Sequence, residues 1–307
     1  MTSNPGRVPP SSDPGSSPGL PSGGGFRERL KRSRLTTAII LLPVLYLLIQ
    51  KLPPFVFFLF AAAVILRVQY EFYLLSFRNR APGLIYLGLA LGFLLCLGFY
   101  RLDLFWQARS GPSLVIVPLF ILLIVILFSF REIQTTLTDA AVVFLGMIYI
   151  AGFLSHLILL RQMPQGSLLI LFLLMLVWIG DAAAYYVGKS IGRRKLYPEV
   201  SPNKTVEGSI GGLAGSFLAT VLAQSTFLPI FTWSDFVWVP LVVGSMGQLG
   251  DLVESMFKRS AGVKDSSALI PAHGGLFDKL DSVAFAAPVF YYYLLWFKGY
   301  GPLPPGF

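Results

Sequence analysis

The sequence predicts an all-α polytopic membrane protein with about nine transmembrane helices and a cytoplasmic N-terminus. Three observations lead there. Of 307 residues, 55% are hydrophobic and only 13% are charged, about half the charged share of a soluble domain. The mean hydropathy of +0.70 is spread over nearly the whole chain, in apolar blocks close to the ~20 residues that a spanning helix needs. The 24 Lys and Arg outnumber the 15 Asp and Glu, and in a membrane chain such an excess sits in loops and sets orientation. A water-soluble enzyme and a soluble domain on a single anchor are thereby excluded, and the basic excess gives no reason to expect nucleic acid as a partner. The one cysteine, Cys96, lies in an apolar run, so neither an internal disulfide nor a thiolate zinc cluster can form. With only two histidines, any metal here is an oxygen-ligated hard cation.

Residues 1–25 contain six Pro, six Gly and six Ser, with no apolar core for a signal peptide, and read as a disordered tail. The basic cluster Arg27, Arg29, Lys31, Arg32 and Arg34 follows and abuts the first apolar run, as expected at the anionic cytoplasmic face. Candidate spans are about 35–50, 54–76, 82–100, 112–130, 139–160, 167–188, 208–232, 235–256 and 280–297. Lys51 and the Pro53-Pro54 pair break the first apolar stretch into a helical hairpin. With the N-terminus inside, cytoplasmic segments collect eighteen Lys and Arg, the other side five, and Arg67 falls within a span. The C-terminus is then outside, and both long polar connections, 189–207 and 257–279, share the cytoplasmic face. The chain divides into the tail 1–25, a transmembrane scaffold over 26–165 and a region over 166–307 that holds nearly all the unusual residues.

In the sixth span Asp181 sits inside an apolar helix, eight residues before Lys189 and hence about 12 Å below it. An ionised carboxylate that deep costs about 3 kcal/mol unless paired or hydrated, which favours function over a buried interhelical bond. The following loop, with Lys189, Arg193, Arg194, Lys195, Ser201, Lys204 and Thr205, mixes cations, hydroxyls and glycines in a way that suits phosphate next to a helix start. Positive-inside topology accounts for Arg193, Arg194 and Lys195, but less well for Lys204 and Ser201. The glycines at 208, 211, 212 and 215 read as close helix packing.

Two acidic pairs come next, Asp251 with Glu254 and Asp278 with Asp281, each three apart and so on one helical face. Brought together at helix ends they would form an oxygen site for Mg²⁺. Between them Lys258, Arg259, Lys264 and the His273-Gly274-Gly275 turn complete a constellation suited to a metal-bound polyphosphate. His156, alone in the fifth span, reads as packing.

The stretch from Ser255 through Lys258-Arg259, Lys264-Asp265, Pro271, His273-Gly274-Gly275, Asp278 and Asp281 resembles the signature of the phosphatidate cytidylyltransferase, or CDP-diglyceride synthetase, family. The segments 181–185, 201–208 and 247–251 are similar to the family's too, so the resemblance is specific over about 178–283. It departs at Lys279, where the family usually has Arg and its bidentate fork, and at Ala272, where Gly is common. The resemblance implies that CTP and phosphatidate give CDP-diacylglycerol and diphosphate, with Mg²⁺ as cofactor. It implies Asp251, Asp278 and Asp281 as metal ligands, with Asp181 and Glu254 as further candidate acids. Lys258, Arg259, Lys264 and Lys204 would hold phosphates, Ser201, Asp181 and Lys279 would lie at substrate, and His273 would donate to a phosphate.

The expected partners are CTP, phosphatidate and the lipid bilayer, with a homodimer left open. The expected location is the bacterial inner membrane, with the active site facing the cytoplasm. Two rivals remain at this point, an ion-coupled transporter, since intramembrane acids also mark ion pathways, and a CTP-dependent lipid kinase.

Overall fold

A backbone inside a bilayer has no water to bond with, so each apolar run must satisfy its own N–H and C=O groups as a helix. The computed structural model describes residues 43–77, 81–102, 112–129, 132–267 and 275–301. Its helices are α1 (Pro54–Phe77), α2 (Pro82–Tyr100), α3 (Ser113–Ser129), α4 (Ile133–Arg161), α5 (Gly166–Ile191), α6 (Val206–Thr226), α7 (Asp235–Ser260) and α8 (Phe277–Phe297). Residues 43–51 form a further helical stretch, broken from α1 at Leu52-Pro53 as the sequence predicts. All of α1 to α8 except α3 are long and apolar enough to cross a membrane, seven helices among the described residues, and α3 is apolar over seventeen. The expected span 35–50 begins outside the described residues, as do the tail 1–25, the basic cluster at 27–34 and His273 with its turn.

The polar connection after α5 is more ordered than expected. Lys195–Tyr197 (β1) and Ser201–Thr205 (β2) form an antiparallel hairpin, with Lys195 opposite Thr205 and Tyr197 opposite Ser201. Thr205 ends β2 and caps α6, its hydroxyl accepting from the Gly208 amide at 3.1 Å. Glu207, in the first turn of α6, takes the amides of Arg193 and Arg194 at 3.0 and 3.2 Å, so the hairpin is folded back onto the helix start.

α5 and α6 pack at close range through the glycines. A Cβ at Gly211 would come within 2.6 Å of the Val187 Cβ, and one at Gly215 within 2.6 Å of the Ala183 Cβ. Gly215→Val is therefore expected to push α6 off α5 and destabilise the protein by about 1–3 kcal/mol, read as a lower Tm in detergent. An unchanged Tm would show that the pair has room to spare.

Two helices carry π-helical segments, Gly146–Gly152 in α4 and Val239–Gly244 in α7. At the first of them the Tyr73 hydroxyl donates to the Val143 carbonyl at 2.8 Å, and Gln69 donates to Tyr73 and to the Gly88 carbonyl, tying α1, α2 and α4 together. Tyr149, inside that segment, joins Phe72, Phe257, Phe277 and Phe285 in an aromatic cluster with ring centroids 5.6–6.2 Å apart. His156 is buried, its Nδ1 facing the Gly152 and Phe153 carbonyls and its ring packed edgewise on Phe99 and Tyr291, in keeping with a packing role.

The helices alternate in direction, so polar contacts collect at two ends. At one end Arg161 donates to the Leu52 carbonyl, Gln162 to the Tyr100 carbonyl, and Lys298 pairs with the buried Asp235 at 2.8 Å. At the other end meet the C-terminal ends of α1, α5 and α7, the β-hairpin, and the N-terminal ends of α6 and α8.

Candidate active site

The hairpin, α5, α6 and α7 enclose a cavity of about 540 Å³. Three cations line it, Lys189 from the last turn of α5, Lys195 from β1 and Lys204 from β2, together with Gly208 and Ser209 at the start of α6. Two acids line it as well, Asp181 of α5 and Asp251 of α7. Asp181, expected deep within an apolar span and more in keeping with function than with a buried interhelical bond, lines this cavity and is exposed to it. Lys204 Nζ lies 2.7 Å from an Asp251 oxygen, with both side chains partly exposed, and Gln248 bonds Ser209 both ways, holding α7 against α6. Cations, a capped helix start and small residues give this cavity what a polyphosphate needs.

Below the cavity the acids converge. Asp251, Glu254 and Asp281 each offer an oxygen such that the three lie within 4.8 Å of one another. α7 supplies the first two on one face, and Gly250 lets α8 approach, since a Cβ there would stand 2.5 Å from the Asp281 carbonyl oxygen. Glu254 is 1% exposed, and its Oε1 has no hydrogen-bond partner among the described residues, while Oε2 pairs with Lys258 at 2.6 Å. An all-oxygen donor set with an unsatisfied, fully buried carboxylate oxygen fits a hard divalent cation.

Asp278, also expected as a ligand, lies beside the trio and shares Lys258 with Glu254. Its oxygens accept from Lys258 Nζ at 2.8 Å, from the amide and hydroxyl of Ser266 at 3.1 and 3.0 Å, and from the Gly275 amide at 2.7 Å. The reason is its place in the first turn of α8, where neighbouring loop N–H groups have no helical acceptor and capture the nearest carboxylate. Lys258 thus stands between Asp278 and Glu254 and links the two acidic pairs. Among the other expected contacts, Arg259 reaches the Val200 and Val263 carbonyls at 3.4 Å, Lys264 and Lys279 are exposed, and Ser201 pairs with Tyr197 across the hairpin. None of these four lines the cavity.

One buried carboxylate near the acids of α8 escaped the sequence reading. Glu71 of α1 is fully buried and accepts from Ser267 Oγ at 2.7 Å and from the Phe277 amide at 2.8 Å, with Arg67 at 3.1 Å. The signal for it was present, an Arg and a Glu four apart within an apolar span, where charge is expensive.

A model of the cytidylyltransferase family matches residues 32–297. The chain belongs to that family. Its similarity to individual members is extensive. It is 35% identical over 276 residues to the phosphatidate cytidylyltransferase of Bacillus subtilis, covering 88% of this chain and 99% of that protein. Over 220 residues it is 38% identical to the Escherichia coli protein YnbB, covering 69% of this chain and 70% of YnbB. It is also 43% identical over 133 residues to the phosphatidate cytidylyltransferase of Haemophilus influenzae, 42% of this chain and 46% of the relative. The family match takes in α1 to α8 together, scaffold and acidic centre alike.

Proposed function

We infer that this enzyme transfers the cytidylyl group of CTP to phosphatidate, giving CDP-diacylglycerol and diphosphate, with Mg²⁺ held by Asp251, Glu254 and Asp281. The observation that carries the reading is the double place of Asp251. It lines the lysine-rich cavity and also belongs to the buried acidic trio, so a triphosphate held by lysines and a cation held by acids would meet at one side chain.

Lys189, Lys195 and Lys204 would bind the phosphates of CTP, and the capped start of α6 would add backbone N–H groups. The acceptor is a phosphate monoester with a second pKa near ~6, by analogy with phosphorylated side chains, and is largely a dianion at neutral pH. It needs no strong general base. The difficulty is bringing two anions together, and Lys258 and Lys204 hold positive charge beside the acids to lower that barrier. Bound to the trio, Mg²⁺ would neutralise charge that develops on the α-phosphoryl oxygens. Phe72, Tyr149, Phe257, Phe277 and Phe285 pack on one another and bring α1 and α4 against the ends of the two acid-bearing helices.

CTP carrying a label on its α-phosphate tests this directly. Incubated with purified protein, phosphatidate and Mg²⁺, the label should enter lipid as unlabelled diphosphate is released. Entry of a γ-phosphate label instead would mean phosphoryl transfer and would sink the reading.

The setting proposed for the reaction is a bacterial inner membrane with the hairpin in the cytoplasm. A cysteine placed at Ser201 in a Cys96→Ala background is expected to resist impermeant thiol reagents in intact cells and to react after lysis. Labelling in intact cells would reverse the orientation.

A further inference from the structure

The acids of α8 are useful only if the start of that helix is held in place, and the residue that holds it comes from the other half of the chain. α8 begins at Phe277, three residues into the return from residues 268–274, and carries Asp278 and Asp281 in its first two turns. Glu71, near the C-terminal end of α1, reaches across and takes the Phe277 amide at 2.8 Å. The same carboxylate takes Ser267 Oγ at 2.7 Å, on the strand of chain that leaves α7, so it fastens the outgoing and returning segments together. Ser266 completes the link, its hydroxyl 3.4 Å from Glu71 and 3.0 Å from Asp278. Beside these bonds Phe72 packs edge to face on Phe257 and Phe277 at 5.8 and 6.1 Å, which aligns α1 with the ends of both acid-bearing helices.

We propose that Glu71 is a positioning residue for cytidylyl transfer, fixing the start of α8 so that Asp281 stays in register with Asp251 and Glu254. This rests on the metal reading given above. A carboxylate suits the task better than any neutral side chain, because both of its oxygens accept. Oε2 serves Phe277, while Oε1 serves Ser267 and pairs with Arg67 at 3.1 Å. An amide of the same shape would turn an NH₂ toward one of those donors. Glu71 lies away from the cavity, which is bounded by α5, the hairpin, α6 and α7, so its loss should spare nucleotide binding.

The test uses full-length protein in detergent, with Mn²⁺ as the probe ion followed by electron paramagnetic resonance in the absence of substrates. Glu71→Gln should weaken Mn²⁺ binding at least fivefold and lower kcat at least tenfold, with KM for CTP within twofold of wild type. Ser267→Ala removes only one of the donors, and should fold normally and weaken Mn²⁺ binding two- to threefold, which keeps the idea testable if Glu71→Gln does not fold. Wild-type Mn²⁺ affinity in Ser267→Ala and in folded Glu71→Gln would overturn the proposal, as would a KM for CTP that rises as much as kcat falls. The two readings fail separately. Wild-type protein that forms no CDP-lipid would sink the function while the Mn²⁺ shifts stand, whereas an active wild type with unshifted Mn²⁺ binding would sink the role of Glu71 alone.

Discussion

Asp251→Asn is expected to lower kcat/KM for CDP-lipid formation about 10²–10³-fold while leaving the protein folded. The size follows from its position where the lysine-lined cavity meets the buried acids, so one substitution withdraws a ligand from the proposed cation and a charge from the floor of the cavity. Stability should hardly change. The Asp251 side chain is 34% exposed and its partner Lys204 26%, and an ion pair that open to solvent contributes about 0–1 kcal/mol. Any such loss is offset in part, because neutralising one of three carboxylates with oxygens within 4.8 Å removes its repulsion of the other two. Activity assays at saturating Mg²⁺ beside thermal unfolding in detergent separate the two effects. Near wild-type turnover would remove Asp251 from the chemistry, and a large fall in Tm would recast it as structural.

How much of this could be read from the sequence depends on how local each cause is. The spanning helices are legible because the bilayer leaves the backbone no alternative, and the Pro53-Pro54 break and the starts at Pro54 and Pro82 follow from what proline does to its own and the preceding residue. Asp251 and Glu254 are legible as a pair because a spacing of three on a helix puts both on one face. The same rule pairs Asp278 with Asp281, but it does not reveal that Asp278 also takes Lys258 and the amides of Ser266 and Gly275, because the free N–H groups before a helix compete for a first-turn acid in a way that spacing does not encode. The β-hairpin was hidden by its charges, since Lys195 and Lys204 read as loop cations and not as members of opposing strands. The charge at Glu71 was visible in its apolar span but its partners were hidden by distance, since Ser267 and Phe277 lie 196 and 206 residues further along. The π-helical segments of α4 and α7 had no signal in the apolar pattern at all.

Lys258→Met is expected to combine the largest loss of stability with loss of activity, and Mg²⁺ is expected to restore part of the stability. Lys258 Nζ stands 2.6 Å from Glu254 and 2.8 Å from Asp278, and the three side chains are 13%, 1% and 10% exposed. Removing the cation leaves two buried carboxylates without their counter-charge, and breaking a buried pair from one side costs about 3–5 kcal/mol. The methionine stem replaces the apolar part of the lysine, so the loss reports charge and not packing. A divalent cation at the adjoining trio would return positive charge to Glu254, whose Oε1 is otherwise unpartnered, so MgCl₂ should raise Tm more in Lys258→Met than in wild type. Lys258→Arg keeps the charge and should fall between the two, limited by how a planar fork fits a site built around a single ammonium. Thermal unfolding with and without MgCl₂ decides the matter. Equal Tm values for Lys258→Met and wild type without metal would show that the acids are already compensated by other groups. A variant that is destabilised but indifferent to Mg²⁺ would place the cation away from Glu254 and reduce Lys258 to a structural bridge between α7 and α8.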